Sequence, residues 1–329
     1  WWRTIAYVDA YDLPGRMASL RAYERADAYT GHRNVVARGD DLPLVTYRRT
    51  YRADRDDAEA SAPGEMWQYF EGRDVLTIPH TPAGMSRSNP AVFEWLTFEP
   101  EYDRVVEIFQ GYRGASEMET GPRAVDTGNH NRYVVSALDG GLHFGFVAGS
   151  DHQSSDGAFA GAWVDAVDRG AVYDGLDDRL TFAATVRMAL WAEWNGVPMG
   201  ASARAPAGPT SGLRIQVEAF DRDLARLDLI VDGRVVERRD VTGRVALAHF
   251  EGADLDVPPS GERYAYVRAV TADGELGWTS PVRLGADGWT GIEGLRGCEA
   301  FERAEGKAQE LPHPVSVRWH GCCASGEPP

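Results

Sequence analysis

Short apolar runs, each stopping at a chemically capable side chain, recur along the first half of the chain. Residues 144–148 (Phe-Gly-Phe-Val-Ala) have the length and composition of a buried strand, which then breaks at Gly149-Ser150 and presents Asp151 and His152. Residues 17–24 read as a strand ending on Glu24. Residues 31–36 turn past His32 into a second apolar stretch, and residues 73–80 form a strand that Pro79 ends beside His80. Residues 104–110 form a strand with Glu107 in its middle, running into a loop that carries Glu117. Helical spacing places Met66, Trp67 and Phe70 on one face of a short helix closed by Gly72. Residues 130–141 and about 169–180 read as further helices, whereas the polar, aperiodic residues 40–64 read as a long surface loop.

Strands alternating with helical stretches predict a parallel α/β architecture. In a (β/α) barrel, side chains that close the strands converge on one mouth. Glu24, His80 and the Asp151-His152 pair all stand at such positions. Past Gly200 the pattern changes. A segment rich in Ala, Pro, Ser and Gly reads as a linker, and residues 213–220 then alternate as a half-buried strand does. Hairpins around Asp232-Gly233 and Asp273-Gly274 complete a small antiparallel β-sandwich over residues 206–285. The expected organisation is a barrel over 1–205, the sandwich over 206–285, and a disordered tail over 286–329.

Composition narrows the partners. The 329 residues carry a net charge of −16, which argues against nucleic acid. Lys307 is the only lysine, and the cysteines are confined to Cys298, Cys322 and Cys323, so no disulfide framework is expected in the main body. Nothing approaches a bilayer-spanning apolar run, which suggests a soluble protein, cytoplasmic or exported. The chain opens Trp1-Trp2-Arg3 without an initiator Met, as a processed product or fragment would. Carboxylate and imidazole ligands suit Zn²⁺, Mn²⁺ or Fe²⁺, and such ions acidify bound water.

In order, Tyr23-Glu24, Gly31-His32-Arg33-Asn34-Val35, Thr77-Ile78-Pro79-His80, Val105-Val106-Glu107-Ile108 with Ala115-Ser116-Glu117, and Phe146 to His152 resemble the motifs of the PHP (polymerase and histidinol phosphatase) superfamily. Its branch of PHP-like proteins with a following β domain is similar also in Gly196-Val197-Pro198-Met199-Gly200 and Trp278-Thr279-Ser280-Pro281. The resemblance implies a distorted (β/α)7 barrel, incomplete at its N-terminus, and two or three divalent metal ions. It further implies hydrolysis, of phosphoesters foremost, by a metal-activated hydroxide acting on a small-molecule substrate. Glu24 would bridge two metals, with His32, His80, Asp151 and His152 as ligands. Glu24, Asp151 and His152 would be catalytic, and Glu107, Gln153 and Glu117 would support the ligands.

This chain departs from the family in lacking the opening His-x-His motif and in reading Asp151-His152-Gln153 where the superfamily has Asp-x-His. Of that pair, His152 rather than Gln153 is expected to face the metals, imidazole being the better ligand. The departures also predict an uncovered sheet edge and disorder near residues 1–16. The alternative is a noncatalytic PHP-like protein with a degenerate metal site, the sandwich serving as a binding module.

Overall fold

A computed structural model describes residues 1–26, 31–47, 58–60, 63–80, 82–84, 95–111, 113–126, 130–151, 157–205, 212–258 and 260–286. Among them, strands of four residues or more are numbered in chain order. β1 (Arg21–Arg25), β2 (Arg33–Ala37) and β3 (Val75–Pro79) form one antiparallel sheet in that order. A parallel bridge between Thr77 and Asp103, with Thr77 N–H donating to Tyr102 O, sets β3 beside β4 (Val105–Gln110). β4 in turn pairs in parallel with β5 (Gly145–Gly149) through the α3 crossover (Val134–Asp139).

The parallel α/β barrel is therefore corrected. Residues 26–32 are too few for a crossover, which takes about a dozen residues, so β1 and β2 can only pair antiparallel. Among the described residues the sheets are open and mostly antiparallel, and no closed barrel forms. Two further expectations change. Residues 40–64 include short strands at Val45–Tyr47 and Ala58–Ala60, and α2 (Pro63–Phe70) begins before residue 64. The start of the chain is helical: α1 (Trp2–Ala10) buries none of its residues and is held by Asp9, which accepts from Arg21 and Arg169.

Alternation sorts the side chains of these strands between two cores. Val35, Ala37 and Val75 pack with Met66 and Phe70 of α2, whereas Val36, Leu76, Val105 and Val147 pack with Tyr173 and Leu176 of α4 (Arg169–Asp177). α4 starts where the Asp168 carboxylate accepts from Ala171 N–H at 2.8 Å, satisfying one of the first-turn donors.

The second half is built from β6 (Phe159–Ala162), β7 (Thr181–Ala184), β8 (Met188–Trp194), β9 (Leu213–Ala219), β10 (Leu224–Val231), β11 (Arg234–Asp240), β12 (Val245–Phe250), β13 (Glu262–Thr271), β14 (Leu276–Thr279) and β15 (Val282–Gly285). β8, β9 and β12 form one sheet, and the others share the larger one. The line expected at residue 206 runs through both sheets: Phe182 pairs with Thr279, and Leu190 with Val217. Leu190, Ile215, Leu229 and Val267 fill the core between the two sheets. On its other face the larger sheet sends Ile230, Tyr266 and Trp278 into a core with Phe109, Phe144 and Phe146. That double burial explains why β13 is buried along eight consecutive residues rather than alternately.

Candidate metal centre

Three neighbouring strands of the first sheet bring three donors to one of its ends. Glu24 lies on β1 opposite Asn34 of β2. Arg33 of β2 pairs with Pro79 of β3, and His80 N–H donates to His32 O at 3.3 Å just beyond that pair. The ladder thus sets the two imidazoles side by side, with ring centroids 5.4 Å apart and nearly perpendicular. Glu24 Oε1 lies 2.7 Å from His32 Nδ1 and 3.3 Å from His80 Nε2.

The donor atoms of these three residues all lie within 4.8 Å of one another. Donors bound tetrahedrally at about 2.0–2.1 Å from one ion stand roughly 3.3 Å apart, so the Glu24–His80 separation already fits and Glu24 would draw back slightly from His32 to hold one. Hydrogen bonds, first from His32 and then from His80, hold the Glu24 carboxyl well below the usual carboxylate range. The carboxylate is thereby kept in the form a cation requires. Burial is graded across the centre: the His80 side chain is 6% exposed, His32 25% and Glu24 41%, so the group opens to solvent on one side.

A second polar group continues inward. His80 Nδ1 faces Glu107 Oε2 at 3.9 Å. Gln110 Nε2 donates to Glu107 Oε2 at 3.4 Å and to Asp151 Oδ2 at 2.7 Å, and Arg113 lies 3.6 Å from the same Asp151 oxygen. Asp151 closes β5 with φ +56°, a left-handed conformation that aspartate tolerates better than most residues. It stands outside the three-donor group and reaches it through Gln110 and Glu107. His152 and Gln153, between which a metal-facing residue was expected, lie outside the described residues.

Glu117 belongs elsewhere. It is fully buried, accepting from Tyr266 Oη at 2.8 Å and from Arg268 Nη1 at 2.5 Å, in the core between the two halves. Reading for metal-ligand residue types passes over Gln110 and Arg113. The signal available for Gln110 is its position at the polar end of the strand that bears Glu107, directly before Gly111.

No protein-family model matches the chain. Together with the open antiparallel sheets, this removes the PHP assignment, and the hydrolase and phosphoesterase labels lose the support it gave them. Uncharacterized proteins of Chlamydia trachomatis and Chlamydia muridarum are 23% and 24% identical over 252 and 249 residues. Each match covers 66% of this chain and 40% of the relative, so the chain spans well under two thirds of the relatives' length. Among solved structures, fibronectin(III)-like modules of Clostridium thermocellum CbhA match 29% of this chain and 94% of their own, at 18% identity and a TM-score of 0.19. An engineered protein matches 30% of this chain and 20% of its own, also at 18% identity, with a TM-score of 0.18. Superpositions that poor assign no fold. Among the described residues no helix is long and apolar enough to cross a membrane.

Proposed function

We propose that the protein binds one divalent transition-metal ion through Glu24 Oε1, His32 Nδ1 and His80 Nε2. The observation that supports this reading is the approach of one carboxylate and two imidazole donors from three adjacent strands, open to solvent on one side. A two-histidine, one-carboxylate set suits Zn²⁺, Fe²⁺, Mn²⁺ or Co²⁺ and leaves coordination positions for water or substrate. When bound, such an ion supplies an acidified water and a Lewis acid, the chemistry of metal-assisted hydrolysis. In this reading the chain's own contribution is to present the three donors from a rigid ladder.

The test is titration of the purified chain with Co²⁺ and Zn²⁺, following the visible spectrum and the heat of binding. One equivalent bound, with affinity lost at least about a hundredfold in Glu24→Ala, His32→Ala and His80→Ala alike, is the expected result. Binding by the triple alanine variant as tight as that of the wild type would overturn the proposal. Turnover of an activated ester by the loaded chain, abolished in the same variants, would extend it to catalysis.

A further inference from the structure

A cavity of about 610 Å³ lies where the two halves meet, and none of the residues lining it belongs to the metal centre. Its volume falls within the range of small-molecule sites, about 300–1,000 Å³. α3 and the segment after Glu117 supply one wall, and the turn between β10 and β11 supplies the other. The deep part of the lining is apolar: Met118, Val135 and Val231 are buried, and Val236 is half-buried.

The outer part is charged, and its charges do not balance. Four carboxylates line the cavity, those of Glu119, Asp139, Asp232 and Asp254, against the guanidiniums of Arg234 and Arg263. Arg263 is already committed, because its Nε lies 3.0 Å from Asp232 Oδ2 and its Nη1 donates to Asp254 O at 2.5 Å. Burial foremost, and also the nearby charge of Asp139, raise the Asp232 carboxyl above its ordinary value, against the pull of Tyr264 N–H and Arg263. Charge complementarity at this surface therefore favours a cation.

Asp139 is where that cation has most to gain. Tyr264 Oη donates to its Oδ1 at 2.7 Å, and among the described residues no cation stands within ion-pair distance of it. Burial, and then the hydrogen bond to Asp139, raise the Tyr264 hydroxyl above its ordinary value, so it stays a neutral donor and leaves the charge of Asp139 in place. Asp139 also ends α3, whose last turn carries no basic residue, and so adds to the negative end of the helix. The β10–β11 turn closes on it: a Cβ at Gly233 would lie 3.3 Å from Asp139 Oδ2. Water satisfies an exposed carboxylate well, but it does not satisfy the apolar wall of the same cavity.

From this arrangement we propose that the cavity binds a small organic cation, with its ammonium or guanidinium group on Asp139 and its alkyl stem against Met118, Val135 and Val236. An amphipathic cation answers both parts of the lining at once, its stem covering apolar surface while its charged head meets the carboxylate. The site stands independently of the metal reading.

The probes are n-hexylammonium and its neutral counterpart 1-hexanol, titrated into the full chain carrying ¹³C-labelled methionine and valine methyls. Methyl shifts report both affinity and place. Hexylammonium is expected to saturate one site, to shift Met118, Val135 and Val236, and to bind about fivefold more tightly than hexanol. Shortening it to butylammonium should cost about fourfold for each methylene withdrawn from the apolar wall. Asp139→Asn keeps an oxygen for Tyr264 and removes the charge; it should weaken hexylammonium about fivefold and leave hexanol unchanged. Glu251→Gln removes the same charge from an exposed carboxylate outside the cavity and should change neither affinity. Equal weakening by the two variants would mean general attraction of cations to an acidic chain, and would overturn the proposal. So would shifts confined to other methyls, or hexanol binding as tightly as hexylammonium. Should Asp139→Asn fail to fold, the wild-type preference for ammonium over alcohol, together with the methyl map, still decides.

Discussion

Two clusters of charged side chains in this molecule look alike in sequence and differ in what their surroundings leave undone. At the core between the halves, Glu117 receives Tyr266 Oη on one oxygen and Arg268 Nη1 on the other. Arg268 spends Nε and Nη2 on Asp228 Oδ2, at 3.2 and 2.7 Å. Glu117, Asp228 and Arg268 are all buried, and each carboxylate faces a guanidinium. At the sheet end, a single oxygen of Glu24 serves two imidazole nitrogens, and the group opens outward. A closed network holds elements together, whereas an open group of donors has capacity for a ligand. The residue types alone do not distinguish the two; burial and the number of answered atoms do.

The contrast predicts opposite responses to removing one member. Arg268→Met leaves Glu117 and Asp228 as buried carboxylates without their shared cation. Breaking a buried pair from one side costs about 3–5 kcal/mol, so the midpoint of urea unfolding should fall by the equivalent amount. It should do so with or without added zinc, because the network lies away from the three donors. A change under about 1 kcal/mol would show that the core tolerates the loss by admitting water, and the contrast would fail.

A buried imidazole sharpens the same comparison through pH. His143 is 1% exposed and donates from Nε2 to Gly200 O at 3.0 Å. Burial foremost, and then the charges of Arg179 and Arg283, hold its pKa well below the ordinary value of 6.5. The unfolded chain therefore takes up a proton below about pH 6.5 that the folded chain refuses. Stability falls as pH drops through that range, by at most about 1.4 kcal/mol per pH unit from this residue, and the loss levels off only below the folded pKa. Urea unfolding at pH 7, 6 and 5 should show this slope, and His143→Gln should reduce it. An unchanged slope in the variant would assign the acid sensitivity to other groups.

What could be read from the sequence divides along the same line as local and long-range structure. Alternation across residues 213–219 marks β9, whose burial alternates in the fold, and Asp232-Gly233 marks the turn between β10 and β11, with φ +44° and +69°. Such signals need only neighbours in the chain. The antiparallel course of β1, β2 and β3 depends on which strands meet, and the polar strand ends were equally compatible with a barrel mouth. Glu24, His32 and His80 come together for a simpler reason, namely that their strands are adjacent. Glu117 was open to misplacement because its partners, Tyr266 and Arg268, lie about 150 residues further along. The register irregularity at Ile108 leaves no periodic trace, so the sequence does not show that Gln110 shares a face with Glu107.

The smallest expected effect on stability is at Glu24, and it tells most about the open group. Its hydrogen bonds to His32 and His80 start from a carboxylate that is itself 41% exposed, and part-exposed ion pairs contribute about 0–1 kcal/mol. Glu24→Ala in metal-free buffer should therefore unfold within about 1 kcal/mol of the wild type, a small change beside that of Arg268→Met. Zinc then separates the two proteins. A ligand at a hundred times its dissociation constant stabilises the folded state by about 2.7 kcal/mol if it binds only that state. The wild type should gain an increment of that order and Glu24→Ala almost none, measured as the shift in urea midpoint between chelator and zinc. Arg268→Met should keep the full increment from its lower starting point. If zinc stabilised Glu24→Ala as much as the wild type, the sheet-end cluster would be no more than a second, weaker structural network.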